Sequence, residues 1–179
     1  MAKRTIATRL VVEGVDEYKR SVKDASAEIK QYKSALELVE NQYKENANSL
    51  EALSKKNQAL NDLIKKQENS VRLLAEAVKS AEAAQSAYAS KIEDVKAKLA
   101  AAQEEQRQLG ERTDENAAAY DEITKKISEY QQELARLEAG HTKAKGSATK
   151  WQTQLNYAQK DLDTLNADLA KNTKYLEEA

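Results

Sequence analysis

The chain has 179 residues, of which 33% are Asp, Glu, Lys or Arg and 5% are aromatic, and it contains no proline, phenylalanine or cysteine. Without cysteine, this chain forms no disulfides and has no thiolate chemistry. The 29 basic and 30 acidic side chains nearly cancel and are interspersed, so we expect no nucleic-acid partner. No apolar run reaches membrane-spanning length, which predicts no membrane contact in this segment.

Residues 5–12 differ from the rest of the chain because most of them are β-branched. Ile6, Thr8, Leu10 and Val12 would share one face of a strand at a period of two. This pattern predicts a short strand, with an extended arm as the alternative. Because the chain offers no second strand, we expect another protein chain to supply the edge on which these four side chains pair.

From Val15 to Leu176, apolar residues recur at alternating steps of four and three, which defines a heptad pattern with Val15 at position a and Tyr18 at position d. None of the a or d positions is charged, although a third of the chain is. This pattern is typical of helices that pack along a shared apolar seam. The predicted packing seam consists of Leu36, Val39, Leu50, Leu53, Leu60, Ile64, Leu74, Ile92, Val95, Leu99, Ile123, Ile127, Leu134, Leu137, Trp151, Leu155, Leu162, Leu165 and Leu169.

The heptad phase never slips along this stretch, and a strict seven-residue period favours a left-handed supercoil. About 160 residues in one helix would extend roughly 240 Å. A single chain buries such a seam only if it folds back on itself or associates with copies. We therefore predict an all-α protein: a long heptad-repeat coiled coil, extended or folded back as helical hairpins, preceded by the short amino-terminal strand.

The pattern weakens first at residues 46–49, where Asn46 occupies a d position. The alternatives are a polar layer within a continuous helix, or a turn followed by a new helix whose N-cap is Asn48. We favour the polar layer, on the argument that a turn has no reason to preserve the heptad phase.

Two further places are weak. Residues 110–116 match the first region after a shift of 70 residues, which is ten heptads and raises the alternative of an internal duplication. Gly140 and Gly146 each destabilise a helix, so we expect any joint of the rod within residues 140–147. The predicted organisation is an arm over 1–14 followed by coiled-coil segments over 15–109 and 110–179.

Polar residues at a and d positions commonly fix register and oligomeric state in helical assemblies. Here we expect polar layers at Asn46, Asn57, Gln67, Asn116 and His141. Small residues beside the seam and aromatic residues within it favour a higher-order or antiparallel assembly over a tight dimer, and we expect a homotrimer.

The sequence carries no pattern typical of a catalytic, cofactor or metal site. His141 is the only histidine, and it has no cysteine or second histidine as a metal-binding neighbour. Phosphate-loop, dinucleotide-binding, nucleophile-elbow and zinc-protease spacings do not occur. We therefore expect a protein that is not an enzyme and needs no cofactor.

Three passages resemble tail tape measure proteins of siphophages and prophages of Gram-positive bacteria. They are Thr5-Ile6-Ala7-Thr8-Arg9-Leu10-Val11-Val12-Glu13-Gly14, then Asn46-Ala47-Asn48-Ser49-Leu50-Glu51-Ala52-Leu53, and Lys150-Trp151-Gln152-Thr153-Gln154-Leu155-Asn156-Tyr157-Ala158-Gln159. The likeness covers nearly the whole chain, and the opening and the tryptophan passage are its most specific parts.

The resemblance implies a mechanical function. Proteins of this family are helical oligomers inside the tail tube, where their length sets tail length, and they leave the tail ahead of the genome. It implies the tail tube, tail chaperone and tail terminator or neck proteins as partners, with assembly in the host cytoplasm and then a place in the virion tail. Family members are much longer, so we expect an amino-terminal part of a longer protein.

Two other classes of protein fit the heptad pattern. One is a coiled-coil spacer of a chromosome-maintenance ATPase or a surface tether, which would carry nucleotide-binding or anchoring segments at its ends. The other is a self-contained antiparallel helical bundle that folds back at the weak regions and binds a partner protein.

Overall fold

The computed structural model describes the backbone of residues 2–179 and the side chains of residues 18–179. Three helices follow one another along the chain: α1 is Ala2–Gln42, α2 is Leu50–Leu109 and α3 is Ala117–Glu178. No strand occurs within residues 2–179, so the all-α prediction is confirmed.

The strand predicted near the amino terminus is not found, because α1 begins at Ala2 and includes those residues. A single strand leaves its backbone N–H and C=O groups without partners, whereas a helix pairs them internally. The side chains of Ile6, Thr8, Leu10 and Val12 lie outside the described side chains, and the pairing face assigned to them stays a prediction.

The continuous helix favoured through Asn46 is wrong, because residues 43–49 form a turn between α1 and α2. Three backbone bonds in or next to the turn join residues three apart: Lys44 N to Asn41 O, Asn46 N to Tyr43 O and Ser49 N to Asn46 O. The Ser49 hydroxyl then caps α2 by accepting a bond from the Ala52 N–H.

The second weak region, residues 110–116, is also a turn. Gly110 has a φ of 70°, a left-handed conformation that ends α2 at little cost for glycine. Asn116 then holds the start of α3: its Oδ1 accepts from the Thr113 N–H, and its Nδ2 donates to Leu109 O and Glu111 O. The Thr113 hydroxyl accepts from the Asn116 N–H in return.

Residues 140–147, where any joint of the rod was expected, lie within α3, which is helical throughout Ala117–Glu178. Gly140 has a packing reason: a methyl group there would lie 2.5 Å from the Tyr88 ring. A side chain at Gly146 would meet nothing within 4 Å. The two glycines lower helix propensity without breaking the helix.

The chain divides into two compact units, one formed by Met1–Ser80 with Thr149–Ala179 and the other by Ala81–Ala148. We call them the three-helix unit and the two-helix unit. In the three-helix unit α1 runs antiparallel to α2, because Glu40 pairs with Lys56 at 2.6 Å while Glu28 pairs with Lys66 at 3.0 Å.

The end of α3 is antiparallel to α2 within the three-helix unit. Leu53 near the start of α2 meets Asn172, and Gln67 two heptads further on meets Ala158. The core around these contacts consists of buried Leu60, Leu63, Ile64 and Leu165, with Ile29, Tyr32, Leu36, Leu162 and Leu169 packed against them.

The two-helix unit is a hairpin of the second half of α2 and the first half of α3. Gln106 Nε2 donates to Thr124 Oγ1 at 2.8 Å beside the turn, and Arg112 pairs with Asp121 through two bonds of 2.8 and 2.9 Å. The Arg112 guanidinium lowers the pKa of the Asp121 carboxyl chiefly through this hydrogen bonding. Its buried apolar side chains are Ala81, Ile92, Val95, Ala102, Ile123 and Ala144.

Candidate interhelical binding seam

The predicted seam follows the contacts between helices closely. Leu53, Leu60, Ile64, Leu74, Ile92, Val95, Ile123, Trp151, Leu155 and Leu165 are buried, and Leu36, Val39, Leu99, Ile127, Leu134, Leu137, Leu162 and Leu169 are half-buried. Leu50 is the exception at 63% exposure, because it begins α2 immediately after the first turn.

Sequence reasoning missed a second buried column on α2. Leu63, Ser70 and Ala77, all at heptad position g, are 1%, 5% and 1% exposed. Packing between α1 and α3 requires a wider stripe than a and d alone provide. The sequence did contain evidence for this column. Position g is uncharged at Leu63, Ser70 and Ala77 but is occupied by Lys91 and Lys98 in the two-helix unit.

Asn57 belongs to a layer of three polar side chains between α2 and α3. Asn172 Nδ2 donates to Asn57 Oδ1 at 2.6 Å and to Leu53 O at 2.8 Å, and Asn57 Nδ2 donates to Thr173 Oγ1 at 3.1 Å. The prediction had placed Asn57 in a polar layer without its partners Asn172 and Thr173. Such a layer favours one alignment of α2 against α3, because a shift leaves buried amides unpaired.

Gln67 is buried at 3% exposure against α3. Its Nε2 donates to Ala158 O at 2.8 Å, whereas its Oε1 is buried without a hydrogen-bond partner. A buried unpaired amide oxygen costs free energy. Gln67 therefore specifies the alignment of α2 and α3 at some expense in stability.

The other three predicted polar-layer residues have different positions. Asn46 is exposed in the first turn, and Asn116 organises the second turn through its side chain. His141 is half-buried on α3 in the two-helix unit. The structure thus brings Asn57 and Gln67 to the contact between α2 and α3 and places Asn46 and Asn116 where helices are joined.

Charged side chains flank the contacts of α1 in the three-helix unit. Lys66 pairs with Glu28 and lies 5.3 Å from the Tyr32 ring centroid, and Lys33 pairs with Asp161 at 3.4 Å. The Glu28 carboxylate raises the pKa of Lys66, mainly through their hydrogen bond. Exposed pairs of this kind contribute little stability but select alignment and partner.

A cleft of about 400 Å³ lies beside the first turn. Tyr43, Lys56, Asp168, Lys171 and Tyr175 are among its lining residues, so its wall carries both charge signs. Tyr43 donates to Glu51 at 2.8 Å, a bond that raises the pKa of the Tyr43 hydroxyl. The cleft is open and mixed in polarity, without convergent groups of the kind that perform chemistry.

Within residues 18–179, no group of three or more acidic or histidine side chains is placed to hold a metal ion. Over the described part of the chain, no helix is both long and apolar enough to cross a membrane.

Comparisons with known proteins found no matching family model, no similar curated protein and no similar solved structure. Proposals about function consequently depend on the residues of this chain and on the packing of its helices.

Proposed function

We propose that this chain is the amino-terminal part of a phage tail tape measure protein, a structural protein that sets tail length. The three passages quoted above carry the family resemblance. The physical support is the uncharged seam, whose heptad phase continues from Val15 to Leu176 through both turns. Helices that share one phase can join into one straight helix, which acts as a ruler at 1.5 Å per residue.

In this proposal the folded helices are the form outside the tail tube. Inside the tube the chain extends into a left-handed coiled coil with copies of itself, favoured as a trimer, and the seam that holds the helices together here faces those copies. Tube, chaperone and terminator or neck proteins surround it during assembly in the host cytoplasm, and the finished virion holds it in the tail lumen.

Deleting residues 85–98 together with 131–144 from the full-length protein tests the ruler. These segments face each other across the two-helix unit, as Tyr88 and Gly140 do. Each deletion removes two heptads, so the seam stays in phase in the folded and the extended forms. Tails measured by electron microscopy should shorten by about 42 Å, at 1.5 Å per residue.

The matched control replaces the same segments with unrelated heptads of equal length, which should restore tail length. Unchanged tails in the deletion variant would contradict the ruler. The ruler would also be contradicted if the equal-length replacement shortened tails as much as the deletion does. In that case the length of the chain would not be what sets the length of the tail.

A second candidate function is a self-contained antiparallel bundle that binds a partner protein. The partly buried layer of Asn57, Asn172 and Thr173 favours it, because these bonds specify one antiparallel alignment. This function predicts that the deletion leaves tail length unaltered while the chain stays helical and monomeric.

A further inference from the structure

The two turns are held very differently. In the second turn the left-handed Gly110, the side-chain bonds of Asn116 and the Arg112–Asp121 pair fix the reversal. The first turn, residues 43–49, contains no residue with positive φ. Its backbone bonds join residues three apart, as in separate β-turns, and its side-chain bonds are those of Tyr43 with Glu51 and of Ser49 with Ala52 N. No proline or glycine interrupts it.

The heptad phase across the first turn is not required by the folded arrangement. Antiparallel helices need only an a position facing a d position, and a turn one residue longer or shorter would provide this equally well. A helix that continues through the turn, by contrast, requires the phase to be kept. In such a helix Asn46 and Leu50 become seam positions, and Leu50 is 63% exposed in the folded chain.

The register also fits a second copy. The pairs Glu40–Lys56 and Glu28–Lys66 place the point of symmetry between α1 and α2 at about residue 48, within the turn. Two continuous helices crossing antiparallel in this register would set Asn46 of one copy opposite Leu50 of the other, and Tyr43 opposite Leu53. Every seam position near the crossing then faces a seam position.

We propose that the first turn is a hinge through which two copies of this chain exchange α1. In the exchanged dimer the turn is helical, α1 of each copy occupies the place of α1 in the other, and Leu50 is buried at the crossing. The occupant of the α1 surface is a second copy because its residues already match that surface. This proposal depends on the helices and the turn alone, whatever the function of the chain.

Two charge-reversed variants test the exchange. One carries Glu28→Lys with Glu40→Lys, so its α1 and α2 both present lysines; the other carries Lys56→Glu with Lys66→Glu, so both present glutamates. In each variant alone, α1 and α2 carry like charges at these positions and repel each other. Exchange between the two restores opposite charges at both interfaces, so an equimolar mixture should give a one-to-one dimer by light scattering and native mass spectrometry.

A matched control mixes Glu93→Lys chains with Lys96→Glu chains. This ion pair lies within one helix, three residues apart, so mixing restores nothing between copies and no dimer should form. If the α1 and α2 variants remain monomeric after mixing, or dimerise as readily alone as together, the exchange is wrong.

The turn itself supplies a second test. Replacing Asn46, Asn48 and Ser49 with alanine favours helix and removes the Ser49 cap, so the dimer association constant should rise about tenfold or more. Ala47→Pro should suppress the dimer, because proline is compatible with a turn and not with a helix interior. Asp114→Pro in the second turn is the matched control and should leave the association constant unchanged.

An association constant for the alanine variant equal to that of the natural chain would overturn the hinge, provided circular dichroism shows the same helix content. Equal effects of Ala47→Pro and Asp114→Pro would overturn the assignment of the hinge to the first turn. The expected result is a dimer that responds to the first turn alone.

Discussion

Gln67 and Asn172 are both buried amides in the contact of α2 with α3, and they differ in how completely their atoms are paired. Asn172 donates to Leu53 O and Asn57 Oδ1, whereas Gln67 leaves its Oε1 without a partner. Gln67 thus combines one donated bond to Ala158 O with one unpaired buried acceptor, so we expect the two residues to differ in their effect on stability.

Gln67→Leu should raise the free energy of unfolding by about 0.5–2 kcal/mol, because it removes a buried acceptor that is never satisfied. Asn172→Leu should lower it by about 1–3 kcal/mol, because Asn57 loses its donor. Urea unfolding followed by circular dichroism measures both. A loss of stability for Gln67→Leu equal to that for Asn172→Leu would contradict the assignment.

Gly140 and Gly146 offer another matched pair on one helix. Gly146→Ala should raise the free energy of unfolding by about 0.5–1 kcal/mol through helix propensity, because the new methyl group meets no neighbour. Gly140→Ala should leave it unchanged or lower it, because the methyl group displaces the Tyr88 ring. Equal thermal stabilisation of both variants would show that the Tyr88 contact is absent.

At the scale of elements, the all-helical content was predictable, whereas the break between α1 and α2 at residues 43–49 was not. The period of seven and the absence of charge at a and d predicted helices and their buried face. A turn neither requires nor disturbs the heptad phase, so the preserved phase did not exclude a turn at Asn46.

All the predicted seam residues except Leu50 are buried or half-buried, but the partners of the polar residues could not be predicted. Asn57 was recognised from its a position, whereas its bond with Asn172 depends on how α3 aligns with α2, which no local pattern specifies. Position g of α2 could also have been used. It is apolar at Leu63 and Ala77, where a third helix packs, and becomes charged at Lys91, where only two helices pack.

The two turns give a prediction at this scale, because Asn46 and Asn116 correspond after the 70-residue shift but differ in their bonds. Asn116→Ala should lower the free energy of unfolding by about 1–2 kcal/mol, because its side-chain bonds to Thr113 N, Leu109 O and Glu111 O within the turn are lost. Asn46→Ala should change it by less than about 0.5 kcal/mol, since its side chain is exposed. Thermal unfolding of the two variants compares them, and equal losses would contradict the difference between the turns.

At the scale of the whole molecule, the chain reverses direction at residues 43–49 within the three-helix unit and at residues 110–116 within the two-helix unit. A continuous helix and a reversed chain bury nearly the same seam residues, so burial measurements do not separate them. Distances within one chain do, and the absence of natural cysteine makes site-specific spin labelling simple.

The most direct measurement is pulsed electron paramagnetic resonance on the monomeric fraction of two doubly labelled chains, diluted with unlabelled protein so that only distances within a chain are read. Lys30→Cys with Lys65→Cys spans the first turn, and Lys98→Cys with Gln131→Cys spans the second. Neighbouring antiparallel helices predict label separations below about 30 Å. Separations of about 50 Å, as expected for 33–35 residues of continuous helix, would contradict the reversal at that turn.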